Sequence, residues 1–252
     1  MFFVGIDLAW STKNGTGVAL LEGNSRQSKL VKHGVLFSDE EIVDFVVKNV
    51  GKQNALIAID APLIVPNETG RRVAEVEVGK LFRPYNAGAH PANRQRLSSW
   101  TGKIRGEELS KKLEKEGFVH NPFLKKKEQS RTFFEVYPHP SMVVLFNLNK
   151  VIPYKAKPKR DYDFRWKAFK QYQQHLLRLE KKKPSLILPK EITKARVEEL
   201  RGSKLKHFED SLDAVFCGYI AQYAWTFPDK CAVLGNMEKG YILTPVFHQA
   251  IV

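Results

Sequence analysis

Phe2-Phe3-Val4-Gly5-Ile6-Asp7-Leu8 is an apolar run broken by one carboxylate. A run of this length without polar alternation reads as a strand buried on both faces. An acid inside it is costly unless it is paired or bound to a cation. The pattern returns at Ala55-Leu56-Ile57-Ala58-Ile59-Asp60-Ala61-Pro62, a second buried strand ending on an acid. Between the two, Gly15, Thr16 and Gly17 form a turn, a second strand begins at 18–21, and a third spans 29–37. Ser38 ahead of Asp39, Glu40 and Glu41 is an N-cap with an acidic first turn. The helix it opens runs to about Val50, with Ile42, Phe45 and Val46 on its apolar face, and Gly51 stops it. Strand, strand, strand, helix, strand predicts an antiparallel meander followed by a parallel return, hence a mixed sheet. If the first and fourth strands are adjacent and parallel, Asp7 and Asp60 emerge at one C-terminal edge, where ligands of open α/β sheets bind.

Working outward, residues 63–130 differ in character. A helix is expected over 71–81, then a Gly/Pro/Asn-rich stretch over 83–93, then a charged helix over 104–116 stopped by Gly117. These read as an insertion over the sheet edge or the site. A fifth strand follows at 131–137 and a helix begins at Pro138. A second, basic insertion spans 148–206 and includes a long helix over 164–180. In that helix Phe164, Trp166 and Phe169 read as core-facing. A strongly apolar helix over 208–225 and a hairpin around Gly235 and Gly240 close the chain. The expectation is an α/β fold: one domain over 1–252, a mixed five-stranded sheet flanked by helices, two insertions and a C-terminal hairpin.

Asp210 and Asp213, three apart on the last helix, share a face. Carboxylates converging from two strand ends and one helix repel unless cations sit among them, and hard oxygen ligands select Mg2+ or Mn2+. Asp7, Asp60, Asp213 and Asp210 are therefore candidate metal ligands. Each acid also has a bland reading: a turn residue, an Asx turn before Ala-Pro, or a helix N-terminal charge. Glu135, in the fifth strand, reads either as a further ligand or as a strand-edge glutamate. Arg71, Arg72, Arg83, Asn86 and His90 gather donors suited to phosphate in one irregular segment. Their alternative is a helix face and an ordinary loop. His139 reads either as a proton relay or as a structural imidazole.

The runs Gly5-Ile6-Asp7, Ile59-Asp60-Ala61-Pro62, Phe134-Glu135-Val136-Tyr137-Pro138 and Asp210-Ser211-Leu212-Asp213-Ala214 resemble those of domain-of-unknown-function family 429, a set of predicted RNase-H-fold nucleases. Tyr154-Lys155 and Gly240-Tyr241-Ile242 are similar to that family too. Asp210-x-x-Asp213-Ala214 also resembles the last helix of Holliday-junction resolvases. The resemblance implies a ribonuclease H-like domain and a nuclease using Asp7, Asp60, Asp210, Asp213 and Glu135 in a two-metal phosphodiester hydrolysis. Lys155 joins the substrate-binding candidates with Arg71, Arg72, Arg83, Asn86 and His90.

Charge points to a polyanionic partner. Residues 150–206 hold 18 Lys and Arg against 6 Asp and Glu, so +12 of the chain's +14 lies in one segment. Nucleic acid or a nucleotide is the expected substrate, and a solvated Lys-rich surface is the alternative. Two cysteines, Cys217 and Cys231, are too few for a disulfide framework, which fits a cytoplasmic setting. No apolar run reaches the roughly 18 residues of a membrane span. Two other functions remain open. One is a nucleic-acid-binding module without catalysis. The other is an actin-like phosphotransferase, disfavoured because Ala9 stands where that group needs Gly.

Overall fold

The computed structural model describes residues 1–99 and 102–247. Three strands open the chain as an antiparallel meander: β1 (Phe2–Asp7), β2 (Thr16–Gly23) and β3 (Gln27–Leu36). Helix α1 (Asp39–Val50) starts on a complete capping box, in which the Ser38 hydroxyl accepts from Glu41 N and the Glu41 carboxylate accepts from Ser38 N. β4 (Ala55–Ile59) then returns parallel to β1. Helices α2 (Val73–Phe82), α3 (Arg94–Ser98) and α4 (Arg105–Lys115) precede a two-residue strand, β5 (Val119–His120). Next come β6 (Arg131–Glu135), α5 (Pro138–Leu145), α6 (Tyr162–Arg178), β7 (Ser185–Ile187) and α7 (Lys190–Thr193). The 25-residue α8 (Gly202–Thr226) and the hairpin of β8 (Cys231–Asn236) and β9 (Gly240–Pro245) complete the described chain.

The main sheet has seven strands, not five, in the order β5-β6-β4-β1-β2-β3-β7. The expected five form its interior. Each insertion adds one edge strand: β5 beside β6, and β7 beside β3, both parallel. Strands of two and three residues are too short to carry a period-2 signal, which is why the sequence does not announce them. The hairpin forms its own two-stranded sheet and meets the main one through the bridge of Val136 with Leu243.

Helices cover both faces. Ile42, Phe45 and Val46 of α1 and Leu109 and Leu113 of α4 pack on Phe2, Val4, Ile6, Ile57, Ile59 and Phe133. On the other face α8, backed by Phe169, Tyr172 and Leu176 of α6, packs on Phe3, Ala19, Leu21, Leu56, Ala58 and Phe134. Phe169 is fully buried and Trp166 half-buried, as expected of a core-facing helix. Phe164 departs from that expectation: it is 45% exposed, because it lies in the first turn of α6, where Arg160 sits over its ring. Among the described residues no helix is long and apolar enough to cross a membrane.

Two glycines let α8 lie directly on the sheet. A Cβ on Gly5 of β1 would strike the Ala214 carbonyl, and one on Gly17 of β2 would strike the Asp210 carbonyl. Both obstacles are helix backbone, so no side-chain rotation relieves them. Gly5→Ala is expected to cost about 1–3 kcal/mol or more by overpacking, several degrees of melting temperature for a domain of this size. Gly34→Ala in β3, where a Cβ meets nothing within 4 Å, is the control and should stay within about 0.5 kcal/mol of wild type. Equal melting curves for the two variants would contradict this close helix–sheet contact.

Candidate functional site

Strand alternation decides which way the acids point. Successive side chains of a strand face opposite sides. On β1, Phe3 and Gly5 face α8, so Asp7 faces it too. On β4, Leu56 and Ala58 face α8, and Asp60, two residues on, follows them. β1 and β4 are parallel, with Ile6 opposite Ile59, so both acids emerge at one edge beneath α8. Glu135 ends β6 opposite Ile59 and therefore takes the other face. There its carboxylate is buried against Arg72, with Nη1–Oε2 at 2.9 Å and Nη2–Oε1 at 2.6 Å, and accepts from Leu63 N at 2.9 Å.

On α8, Asp210 and Asp213 share the face toward the sheet but play unequal parts. Asp210 is 2% exposed and lines the cleft; its Oδ1 meets the Lys206 ammonium, and its Oδ2 has no partner. Asp213 is wholly buried behind it. Its Oδ1 accepts from the Tyr154 hydroxyl at 2.6 Å and the Tyr172 hydroxyl at 3.2 Å. Its Oδ2 meets Lys155 Nζ at 2.9 Å as an ion pair outside hydrogen-bond geometry.

The electrostatics follow from this crowding. Burial, and then the charges of Asp213, Asp60 and Asp210, hold the Asp7 carboxyl well above the usual carboxylate range, with Lys155 opposing. Burial first, and then the charges of Asp213 and Glu135, raise Asp60 to about 7, with Lys155 again the strongest opposing charge. Burial also raises Asp210, with the Lys206 ammonium opposing. Burial disfavours the Lys155 ammonium, but Asp213, Asp7 and Asp60 outweigh it and push Lys155 well above its ordinary value. Four acids thus share two ammonium groups and retained protons.

Asp7, Asp60, Asp210, Lys155 and Lys206 floor a cleft of about 1090 Å³. Arg71, Arg83, Asn86 and His90 stand exposed around its mouth, joined by Lys157 and the half-buried Arg160. Arg72 is not among these open donors. Its side chain is 1% exposed, and its guanidinium is spent on Glu75, Glu135 and the Ile64 carbonyl. It holds the chain after β4 rather than reaching a ligand. His139 lines the cleft, its Nδ1 3.0 Å from the Tyr137 hydroxyl, and burial followed by Lys155 lowers it to about 3, so it is a neutral imidazole near pH 7. Of the basic segment's lysines and arginines, all of them described, only Lys155, Lys157, Arg160 and Lys206 border the cleft. The Lys181-Lys182-Lys183 run lies just before β7, which pairs with the start of β3, at the opposite sheet edge.

Sequence reasoning missed several residues that shape the site. Arg105 opens α4 and binds the Ala9 and Ser11 carbonyls, Thr16 Oγ1, Asp39 and the Phe37 carbonyl, fixing the loop after β1. A buried arginine on a charged helix has no local signature. Tyr154 and Tyr172, aromatics interleaved with the lysines of the basic segment, anchor Asp213 through their hydroxyls. Lys206, four residues before Asp210 on α8, was within reach of helical spacing.

Asp7, Asp60 and Asp210 supply hard oxygens, and the orphaned Asp210 Oδ2 is the kind of buried atom that a cation satisfies. The donor set therefore fits magnesium or manganese. Among the described residues, no three acid, His or Cys side chains are drawn tightly enough to ligate a metal as they stand; the Lys155 and Lys206 ammonium groups are what balances the acids.

A pH dependence follows. Asp60 titrates near 7 when folded against an ordinary 3.8, so between those values the folded state holds the extra proton and stability falls as pH rises. Without divalent cations, the melting temperature should drop between about pH 5 and about pH 8, and Asp60→Asn should melt several degrees above wild type at the upper end. A flat wild-type profile would contradict the carboxylate crowding.

None of the curated proteins compared with the chain matches it. A family model described as protein of unknown function (DUF429) matches residues 5–238, which contain every acid on the cleft floor and all of the main sheet but the first three residues of β1. The motifs read from the sequence and this match agree: the chain belongs to the DUF429 family.

Proposed function

We propose that this protein is a ribonuclease H-like, divalent-metal-dependent phosphodiesterase acting on nucleic acid or a nucleotide. The observation that carries the reading is the cleft's polarity. Its floor presents Asp7, Asp60 and Asp210, and its rim presents Arg71, Arg83, Lys157 and Arg160. A ligand suited to both is a phosphate ester: the rim binds its outer phosphates and the floor holds the cation that engages the reacting one. The interior of the sheet, a meander followed by two parallel returns, supports the ribonuclease H-like assignment. A cytoplasmic setting belongs to the same reading.

Bound Mg2+ or Mn2+ would lower the pKa of water and stabilise the leaving oxygen. The chain's own groups do the rest. Asp7, Asp60 and Asp210 would hold the ion at the sheet edge. Arg105 holds the loop after β1, which carries the exposed Trp10 to the cleft wall, where a base can stack. At about 1090 Å³ the cleft lies just above the roughly 300–1,000 Å³ typical of small-ligand sites. It fits a strand end or a small nucleotide better than a long duplex.

A second reading, a nucleic-acid-binding module without turnover, draws on the two lysines that already balance the acids. Asp7→Asn separates the two. It keeps shape and removes a ligand charge, so manganese-dependent hydrolysis of bis-p-nitrophenyl phosphate or a short oligonucleotide should fall at least about 100-fold with an intact circular dichroism spectrum. Full activity in that variant would sink the metal-site assignment. No hydrolysis by wild type, with oligonucleotide binding retained, would favour the binding module.

Salt dependence locates the polyanion footprint. Each lost phosphate contact should reduce the log–log salt slope for single strands by about 0.7. Arg71→Glu and Arg83→Glu should each do so in fluorescence anisotropy, whereas Lys181→Glu, at the far edge of the sheet, should leave the slope unchanged. The reverse pattern would place the footprint on the basic segment instead of the cleft rim.

A further inference from the structure

Lys155 is not a loose surface lysine. The backbone on which it sits is clamped from both sides. Arg160 Nη1 donates to the Pro153 and Lys155 carbonyls, and Arg165 Nε donates to the Tyr154 carbonyl at 3.1 Å. The neighbouring Tyr154 ring is fully buried against Phe169 and Tyr172. The side chain then turns into the acid cluster and meets Asp213 Oδ2, with 31% of its surface left open to the cleft. Asp213 in turn spends Oδ1 on two tyrosine hydroxyls. It has nothing left to offer a ligand as long as the ammonium is in place. Asp210 differs: it is 2% exposed, lines the cleft floor and keeps one bare oxygen.

Charge counting separates one bound ion from two. Asp7, Asp60, Asp210 and Asp213 carry four negative charges when ionised, and Lys155 and Lys206 bring two positive ones. Glu209 and Asp210 together share Lys206 and Arg165, so Glu209 adds nothing to the count, and Glu135 lies outside it on the other face, where it shares Arg72 with Glu75. The remainder is two negative charges, which one divalent ion neutralises. A second ion would leave the buried cluster positively charged, at a large desolvation cost.

Resting on the metal-binding reading above, we propose that Lys155, anchored by Asp213, is a built-in cation that takes one of the two cation places in the acid cluster, so that the protein binds a single divalent ion on Asp7, Asp60 and Asp210. This replaces the two-metal arrangement expected from the sequence and gives Asp213 a positioning role. The open side of the ammonium then faces the substrate phosphate beside the bound ion.

The test is manganese binding by the full chain, followed by electron paramagnetic resonance of free Mn2+ and by metal content after gel filtration. Wild type is expected to bind one Mn2+. Lys155→Gln should gain a second site or bind the ion about tenfold or more tightly, since a nearby like charge is removed. Lys155→Arg, which keeps the charge, should stay close to wild type. Two ions in wild type would overturn the inference while leaving the metal-binding reading intact. One ion in wild type with unchanged stoichiometry and affinity in folded Lys155→Gln would overturn it too. No Mn2+ in wild type would bring down the metal-binding reading itself, and this inference with it. If Lys155→Gln fails to fold, the wild-type stoichiometry still decides.

Discussion

The structure turns on backbone-to-backbone contact between α8 and the first two strands. Gly5 and Gly17 remove the side chains that would keep the helix at an ordinary distance, and the carbonyls of Ala214 and Asp210 occupy that space. The consequence is positional. Asp7 pairs with Gly17 across the β1–β2 ladder, so the glycine that admits the helix is the direct neighbour of the first acid. Lowering α8 onto the sheet brings Asp210 down to the same edge. Close packing and the gathering of acids are one event, and the apolar core on both sides of the contact supplies the free energy that holds it.

That gathering has an electrostatic cost, met in three ways. Protons are retained on Asp7 and Asp60, whose pKa values burial raises. Ammonium groups are brought in by Lys155 and Lys206. Hydroxyls are aimed at the deepest acid, Asp213, by Tyr154 and Tyr172. The three differ in reach. Protons respond to pH and phenols are fixed by the core. The lysines are tethered, so their charge cannot diffuse away as a bound ion can.

Two buried arginines give the cleft its walls. Arg72 joins the start of α2 to the end of β6 through Glu75 and Glu135, and Arg105 ties the start of α4 to the loop after β1 and the chain before α1. Each spans elements distant in sequence through several geometrically fixed donors, a use to which a guanidinium is better suited than an ammonium. The open cations, Arg71, Arg83 and Lys157, sit further out, where water screens them and a ligand can reach them.

The sequence by itself determined the periodic parts: the five interior strands, the capped helix after the meander, the long α6 and α8, and the closing hairpin. It also placed Asp7 and Asp60 at the ends of two apolar strands, which share an edge if those strands are adjacent and parallel, as the β1–β4 pairing makes them. Tertiary structure alone decided the rest. β5 and β7 exist only because a sheet edge offers hydrogen bonds to segments too short to show a pattern of their own. Glu135, grouped with the acids by its motif, is turned to the other face by strand alternation. Arg72, beside Arg71 in sequence, is buried while its neighbour is free, because a helix start presents adjacent residues to opposite environments. Lys155 reaches Asp213, 58 residues further along the chain. Local patterns encode which residues lie on a face, since backbone geometry repeats every two or 3.6 residues. Which charges meet inside the cleft depends on how distant elements pack, and no local repeat carries that information.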